Sequence, residues 1–156
     1  MKKIKIYTVN ADGIDSEYFA KYCLVRTFGG KADDYSIYRT KYGKPYLKNC
    51  KDKFFSISHT KGLTVCAVSE FEIGVDAEYK RNIGEEKLSR MCSPKEIEYI
   101  KNASSISDGF TEIWTKKEAY LKALGTGIRN VRLRDVKTDN AISLKFNNYY
   151  ISICFA

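Results

Sequence analysis

Two acids placed two residues apart in a strand-like stretch are the first sign of chemistry in this sequence. In EIGVDAE, residues 72–78, a strand period of two puts Gly74, Asp76 and Glu78 on one face. Ile73, Val75 and Ala77 take the other. Asp and Glu are poor strand residues, and like charges on one face repel, so the pair asks for a positive partner. A second set lies in IWTKKEAYLKALGTG, residues 113–127. On a helix Trp114, Glu118 and Lys122 follow one another at i, i+4 and i+8, with Tyr120, Leu121 and Leu124 supplying an apolar side. The simplest account of that spacing is an exposed Glu118–Lys122 ion pair, worth about 0.3–0.5 kcal/mol. A third set, FFSISHT at residues 54–60, contains the one histidine, His59. Ser58 and His59 at a strand end, with Lys44 close in sequence, could grip a phosphate through charge-assisted hydrogen bonds. A Ser-His-Asp hydrolase is the weaker reading, because no G-x-S-x-G elbow is present. Glu96 sits where a capping box needs it, with Ser93 as N-cap and Pro94 at the first helical position, and so has a structural task already.

These residues need elements to hold them. Alternation at Ile4, Ile6 and Thr8 predicts a first strand. A helix should run from near Asp15 to Phe28, with Tyr18, Tyr22 and Val25 on one face and Gly29-Gly30 as its stop. Short strands fit 35–39, 53–58, 63–69 and 71–78, with a turn at Gly43-Lys44-Pro45. A helix opens at Ser93, and a longer one should run from about Asp108 to Leu124 and end at Gly125. Strands near 131–137, 141–146 and 149–155 close the chain. Strand–helix–strands thus occurs twice without repeated sequence, which predicts two similar lobes packed as one unit.

The bulk numbers agree with one compact globular domain or two small fused lobes: 156 residues, 44% hydrophobic and 29% charged. No apolar run is long enough to cross a membrane or to act as a signal peptide. Five cysteines, odd in number and without paired spacing, argue for free thiols in a reducing cytoplasm and against zinc. Cys66 and Cys154 fall in apolar runs and are expected in the core. Residues 1–60 hold 12 Lys and Arg against 6 Asp and Glu, whereas the remainder holds 15 against 13. The excess is densest around Arg39, Lys41, Lys44, Lys48, Lys51 and Lys53, which points to an anionic partner: nucleotide, nucleic acid or acidic protein.

Taken together, FSISHT, IGVDAE, SPKE and WTKKEAYLKALGTGI, preceded by YGKPYL, resemble the signature blocks of the 4'-phosphopantetheinyl transferases in order and spacing. The blocks cover about residues 42–128 and are closest to the two-lobe, surfactin-synthetase-activating (Sfp) type, of which this is a short member. The resemblance implies an α+β fold of two pseudo-symmetric α/β lobes, each a small antiparallel sheet packed with a long helix. Residues 1–70 would bind the phosphates of coenzyme A, and residues 71–156 would carry the metal and the catalysis. It implies Mg2+-dependent transfer of the phosphopantetheine arm of coenzyme A to a carrier-protein serine, with release of 3',5'-ADP. Asp76, Glu78 and Glu118 would hold the Mg2+, a hard cation suited to oxygen ligands. Lys44, Ser58 and His59 would contact coenzyme A phosphates, and Lys122 the pyrophosphate and leaving group. Glu96 would activate the serine, so that Glu96, Glu118 and Lys122 carry the chemistry.

Around these, Trp114 reads as a packing anchor and Lys117 as a residue that orients Glu118 or faces solvent. Met91 and Cys92 would help form a patch for the carrier helix. The implied partners are coenzyme A and an acidic apo acyl or peptidyl carrier protein, with no nucleic acid and no membrane. The protein would be a cytoplasmic monomer with pseudo-dimeric lobes. Several positions depart from the family pattern. Ser56 replaces an Asn, Ala77 a larger aliphatic residue, and Met91-Cys92 a common Phe-Phe. The N-terminal portion is short, leaving Arg26 and Lys31 as substitutes for the basic residues that meet the 3'-phosphate. The rival readings are a basic nucleic-acid-binding module, whose 12 Tyr and 8 Phe could stack on bases, and a catalytically weak relative that binds coenzyme A or a carrier.

Overall fold

A computed structural model of the protein describes residues 3–128 and 131–156. Its elements are β1 (Ile4–Val9), α1 (Ser16–Phe28), β2 (Ile37–Arg39), β3 (Pro45–Leu47), β4 (Phe54–Thr60), β5 (Leu63–Ser69) and β6 (Ile73–Tyr79). They continue with α2 (Glu85–Met91), α3 (Pro94–Asn102), α4 (Ile106–Leu124), β7 (Ala141–Phe146) and β8 (Tyr149–Phe155). Two three-stranded antiparallel sheets are ordered β1-β5-β4 and β6-β8-β7, and β2-β3 form a separate ribbon. Both sheets place the last strand of their half in the centre, and α1 and α4 cover the corresponding outer faces. This is the expected α+β architecture of small antiparallel sheets packed with helices.

Each helix is bounded by the chemistry of its ends. Asp15 caps α1 by accepting the Tyr18 N–H at 2.7 Å, and Gly29, at φ 82°, closes it. The buried stripe of α1 is Phe19, Ala20, Cys23, Leu24 and Thr27, packed against Phe55, Cys66 and Val68. Tyr18 and Tyr22 therefore point to solvent, 74% and 50% exposed. The face anticipated from them is the outer one, because Phe19–Cys23 and Ala20–Leu24–Thr27 make the more continuous apolar strip. Cys66 and Cys154 lie fully in the core, and all five cysteines are free thiols.

β6 joins the two halves. Its inner residues Ile73, Val75 and Ala77 pack against Leu63, Val65 and Ala67 of β5. Its outer face meets α4 so closely that a Cβ on Gly74 would lie 1.9 Å from the Ala119 carbonyl oxygen, hence the glycine. One edge of β6 pairs with β8. The other runs parallel to β4, and there side-chain hydroxyls replace a backbone ladder. Ser56, Ser58 and Thr60 accept the N–H groups of Val75, Ala77 and Tyr79 at 3.0, 3.2 and 3.1 Å. The period-two hydroxyls of SISHT thus satisfy a buried strand edge.

Two expectations are corrected. Residues 131–137 form no strand but a 3-10 turn at Leu133–Asp135. The carbonyls of Leu133 and Val136 accept from the Lys117 ammonium rather than from a neighbouring strand. The strand expected at 35–39 covers only Ile37–Arg39, and its partner β3, three residues long, was too short to show alternation. Among the described residues no helix is long and apolar enough to cross a membrane.

Candidate active site

The face of β6 that meets α4 carries Asp76, 5% exposed. Its Oδ1 accepts from Ser58 Oγ at 2.9 Å and from Lys122 Nζ at 2.7 Å. Lys122 therefore pairs with β6 across the interface, and among the described residues it forms no ion pair with Glu118 along the helix. Among the described residues, Asp76 Oδ2 and Glu118 Oε1 are buried without a hydrogen-bond partner. Burial and the nearby Asp76 carboxylate push the Glu118 carboxyl up to about 7, against the pull of Lys122; Glu78 and Arg81 act more weakly, in opposite senses. Glu118 and Lys122 open onto a cavity of about 720 Å3, walled also by Arg39, Lys41, Lys44, Phe55, Leu121 and residues 125–128. Lys44 reaches across from the first half to the Glu72 carboxylate and the Ala123 carbonyl at the end of α4. Gly125, at φ 71°, lies beneath that lysine, and a Cβ there would crowd Lys44 Cδ at 2.7 Å.

The other anticipated site residues are placed differently. Glu78 turns one oxygen to Arg81 at 2.9 Å and to the Trp114 indole N–H at 3.0 Å. Trp114 stacks on Phe110, as a packing anchor does, but it also orients an acid. Ser58 is buried and donates its only proton to Asp76, so it holds a carboxylate and is not presented to a phosphate. His59 is exposed at the strand end and is not part of the cavity wall. Glu96 lines a second cavity of about 370 Å3. Its Oε2 accepts from Ser93 N–H at 2.7 Å and pairs with Lys117 at 2.8 Å. Lys117 is 1% exposed, neither facing solvent nor touching Glu118. Cys92, 1% exposed, packs with Leu88, Ile100 and Phe110 and is closed to a carrier helix.

Sequence reasoning gave Asp108 no task beyond marking the start of α4. It accepts from Lys80, Lys145, Tyr150, Ser104 and Ser105, contacts that tie the start of α4 to the residue just after β6, to β7 and to β8. These hydrogen bonds, that from Lys80 foremost, hold its carboxyl well below the usual carboxylate range.

Among the described residues no three His, Cys, Asp or Glu side chains stand close enough to form a ready-made metal shell. The donor chemistry nevertheless suits a hard cation. Among the described residues two carboxylate oxygens are buried without a hydrogen-bond partner, and Lys122 meets only the other oxygen of Asp76, an arrangement costly to keep without further positive charge. Glu78 is near enough to influence Glu118, and its carboxylate is held by Arg81 and Trp114.

Two half-sheets with helices outside, and a cation-walled cavity beside paired buried acids, make this an α+β protein with a cleft suited to an anion. The family model described as the 4'-phosphopantetheinyl transferase superfamily matches residues 72–154, and the chain belongs to that superfamily. A 4'-phosphopantetheinyl transferase of Bacillus subtilis is 33% identical over 125 residues, 72% of this chain and 56% of the relative. The 4'-phosphopantetheinyl transferase HetI of a Nostoc species is 38% identical over 97 residues, 55% of this chain and 40% of the relative. A holo-[acyl-carrier-protein] synthase of Clostridium kluyveri is 35% identical over 79 residues, 47% of this chain and 59% of the relative. The chain spans about half the length of these relatives.

Proposed function

We propose that this chain transfers the 4'-phosphopantetheine arm of coenzyme A to a serine of an acyl or peptidyl carrier protein. The observation that carries the reading is the pair of buried oxygens on Asp76 and Glu118 that have no partner among the described residues, set beside Lys122 at a cavity that Lys44 also walls. The names of the relatives speak for the same chemistry. In this reading residues 1–70 supply the cation-bearing hairpin for the donor phosphates and residues 71–156 the acids.

Lys44 and Lys122 bind the diphosphate and hold the donor in line. The serine oxygen attacks the phosphorus that bears the pantetheine arm. A new O–P bond forms while the bond to the bridging oxygen breaks, and 3',5'-ADP leaves with that electron pair. Lys122 offsets the charge that grows on the leaving phosphate. The serine proton passes to Glu118, the carboxylate on the cavity wall. Glu96 would first have to release Lys117, so it anchors that lysine instead. Asp76 and Glu118, joined by Glu78, would hold the Mg2+, whose compact charge lowers the repulsion of the diphosphate. Ser58 fixes the Asp76 carboxylate, and His59 meets the donor from the strand end.

The test incubates the full chain with coenzyme A, Mg2+ and apo carrier proteins, and weighs the carriers by mass spectrometry. A phosphopantetheine mass gain that Asp76→Ala abolishes is the expected result. No gain on any of several carriers refutes the reading.

A further inference from the structure

We infer that the outer edge of β7 is a dimer interface, where a second copy of this chain pairs antiparallel about Leu144.

The inner faces of the two sheets are apolar from strand to strand, but their cover thins away from the β4–β6 seam. On β5 and β6 the inward residues Leu63, Val65, Ala67, Ile73, Val75 and Ala77 are buried. Beside them on β8, Ile151 and Ile153 are half-buried. On β7 the inward residues Ile142, Leu144 and Phe146, set opposite Ile153, Ile151 and Tyr149, are 59%, 59% and 57% exposed. Scattered exposed apolar residues are ordinary, but three in strict alternation along one strand make a stripe. The other face of β7 is occupied. Lys145 meets Asp108 at 2.9 Å, and Ser143 meets Ser152 at 2.7 Å.

The outer edge of β7 pairs with no strand among the described residues. It lacks a proline or a bulge, two common guards of an edge. Phe146 and Tyr149 flank a two-residue turn and so exchange backbone hydrogen bonds. By alternation, the N–H and C=O groups of Ser143 and Lys145 point outward.

The stripe is its own complement, which is why the partner is a second copy. With Leu144 opposite its own mate, Ile142 faces Phe146 of the other copy, and all three apolar side chains are paired on one face. Ser143 then exchanges hydrogen bonds with Lys145 of the other copy, so the only charge on β7 meets a serine. Sliding two residues one way sets Lys145 against its own mate, and like charges directly opposite repel. Sliding the other way gives up the Phe146 contact. The monomer expected from the resemblance is thus replaced by a two-fold dimer with one continuous six-stranded sheet. No β7 residue lines the main cavity, so each copy keeps its own cleft.

The test is sedimentation velocity of the full chain from about 1 μM to about 1 mM, with a dissociation constant on the order of 10–100 μM expected for so small an interface. Leu144→Glu places two carboxylates at the axis and should raise that constant by roughly thirtyfold or more, with the circular dichroism spectrum unchanged. Leu144→Cys treated with glutathione disulfide should join two chains, because opposite Cα atoms in such a pair lie about 4.5 Å apart. Ile142→Cys, on the same face but off the axis, should stay at the baseline of the native chain, whose Cys50 is the one thiol not fully buried. A chain that sediments as a monomer throughout overturns the interface, and so does a dimer that Leu144→Glu leaves intact. Cross-linking of Ile142→Cys as readily as of Leu144→Cys overturns the register.

Discussion

Lys117 is the most consequential buried charge in the molecule, and changing it to Met isolates what it does. The methionine keeps most of the volume and removes the ammonium. Three acceptors then lose their donor: the Glu96 carboxylate at 2.8 Å, the Leu133 carbonyl at 2.8 Å and the Val136 carbonyl at 3.4 Å. Removing one partner of a buried pair costs about 3–5 kcal/mol, because the other charge stays behind unmatched. At about 2–4 °C per kcal/mol for a chain of this size, Tm should drop by roughly 6–20 °C. Glu96→Gln should cost less, since the ammonium keeps both carbonyls and the amide oxygen can still accept the Ser93 N–H. The Glu96→Gln/Lys117→Met pair should recover part of the loss, with a coupling of roughly 0.5–3 kcal/mol. Urea denaturation followed by circular dichroism measures all three. A Lys117→Met cost below about 1 kcal/mol, or a double variant that merely adds the singles, would refute the reasoning. The same series separates the two roles of Glu96. An anchor leaves the transfer rate per folded molecule within about tenfold of native in Glu96→Gln, whereas a general base would lose about 10²–10⁴.

Three further outcomes follow. The Glu118 carboxyl is raised to about 7, so the metal-free fold binds its proton more tightly than the unfolded chain does. Its contribution is full below about pH 4, the ordinary carboxylate range, and is lost as pH rises through 7. Denaturation midpoints from pH 4 to 8 should show that decline, and Glu118→Gln should flatten it. Gly74→Ala drives a methyl into the Ala119 carbonyl and should destabilise the fold by about 1–3 kcal/mol or more, read by thermal melting. Trp114, the sole tryptophan, donates to Glu78, so its emission should respond saturably to Mn2+ added with coenzyme A. Glu78→Gln should weaken that response, and an unresponsive native protein speaks against Glu78 as a ligand.

The parts of the fold visible in sequence were those governed by near neighbours. Alternation in IGVDAE showed both faces of β6, Ser93-Pro94-x-Glu96 marked the start of α3, and Gly125 marked the end of α4. Spacing singled out Asp76, Glu118 and Lys122, and the resemblance gave them roles; the fold gathers all three in one place. What stayed hidden depends on partners far along the chain. Lys117 reads as one of two adjacent lysines in a helix, and nothing local says that carbonyls 16 and 19 residues onward will receive it. The indole that holds Glu78 comes from 36 residues away, and the proton that holds Asp76 from a serine 18 residues earlier. Asp108 looks like any acid in a first helical turn, yet it meets Tyr150 and Lys145 from the far end of the chain. Arg39 and Lys41 were visible as charge, but their position over the cleft needed the three-residue ribbon of β2 and β3.

The hydroxyl seam between β4 and β6 has a mechanical consequence. Ser58 is at once a stitch in that seam, through the Ala77 N–H, and a clamp on Asp76. Inter-sheet spacing and carboxylate orientation thus share a single atom, and neither can drift alone. A substitution anywhere that pries the half-sheets apart by a fraction of an ångström will surface as a mis-aimed acid. Sensitivity of the cleft to distant packing changes is therefore wired into the join itself.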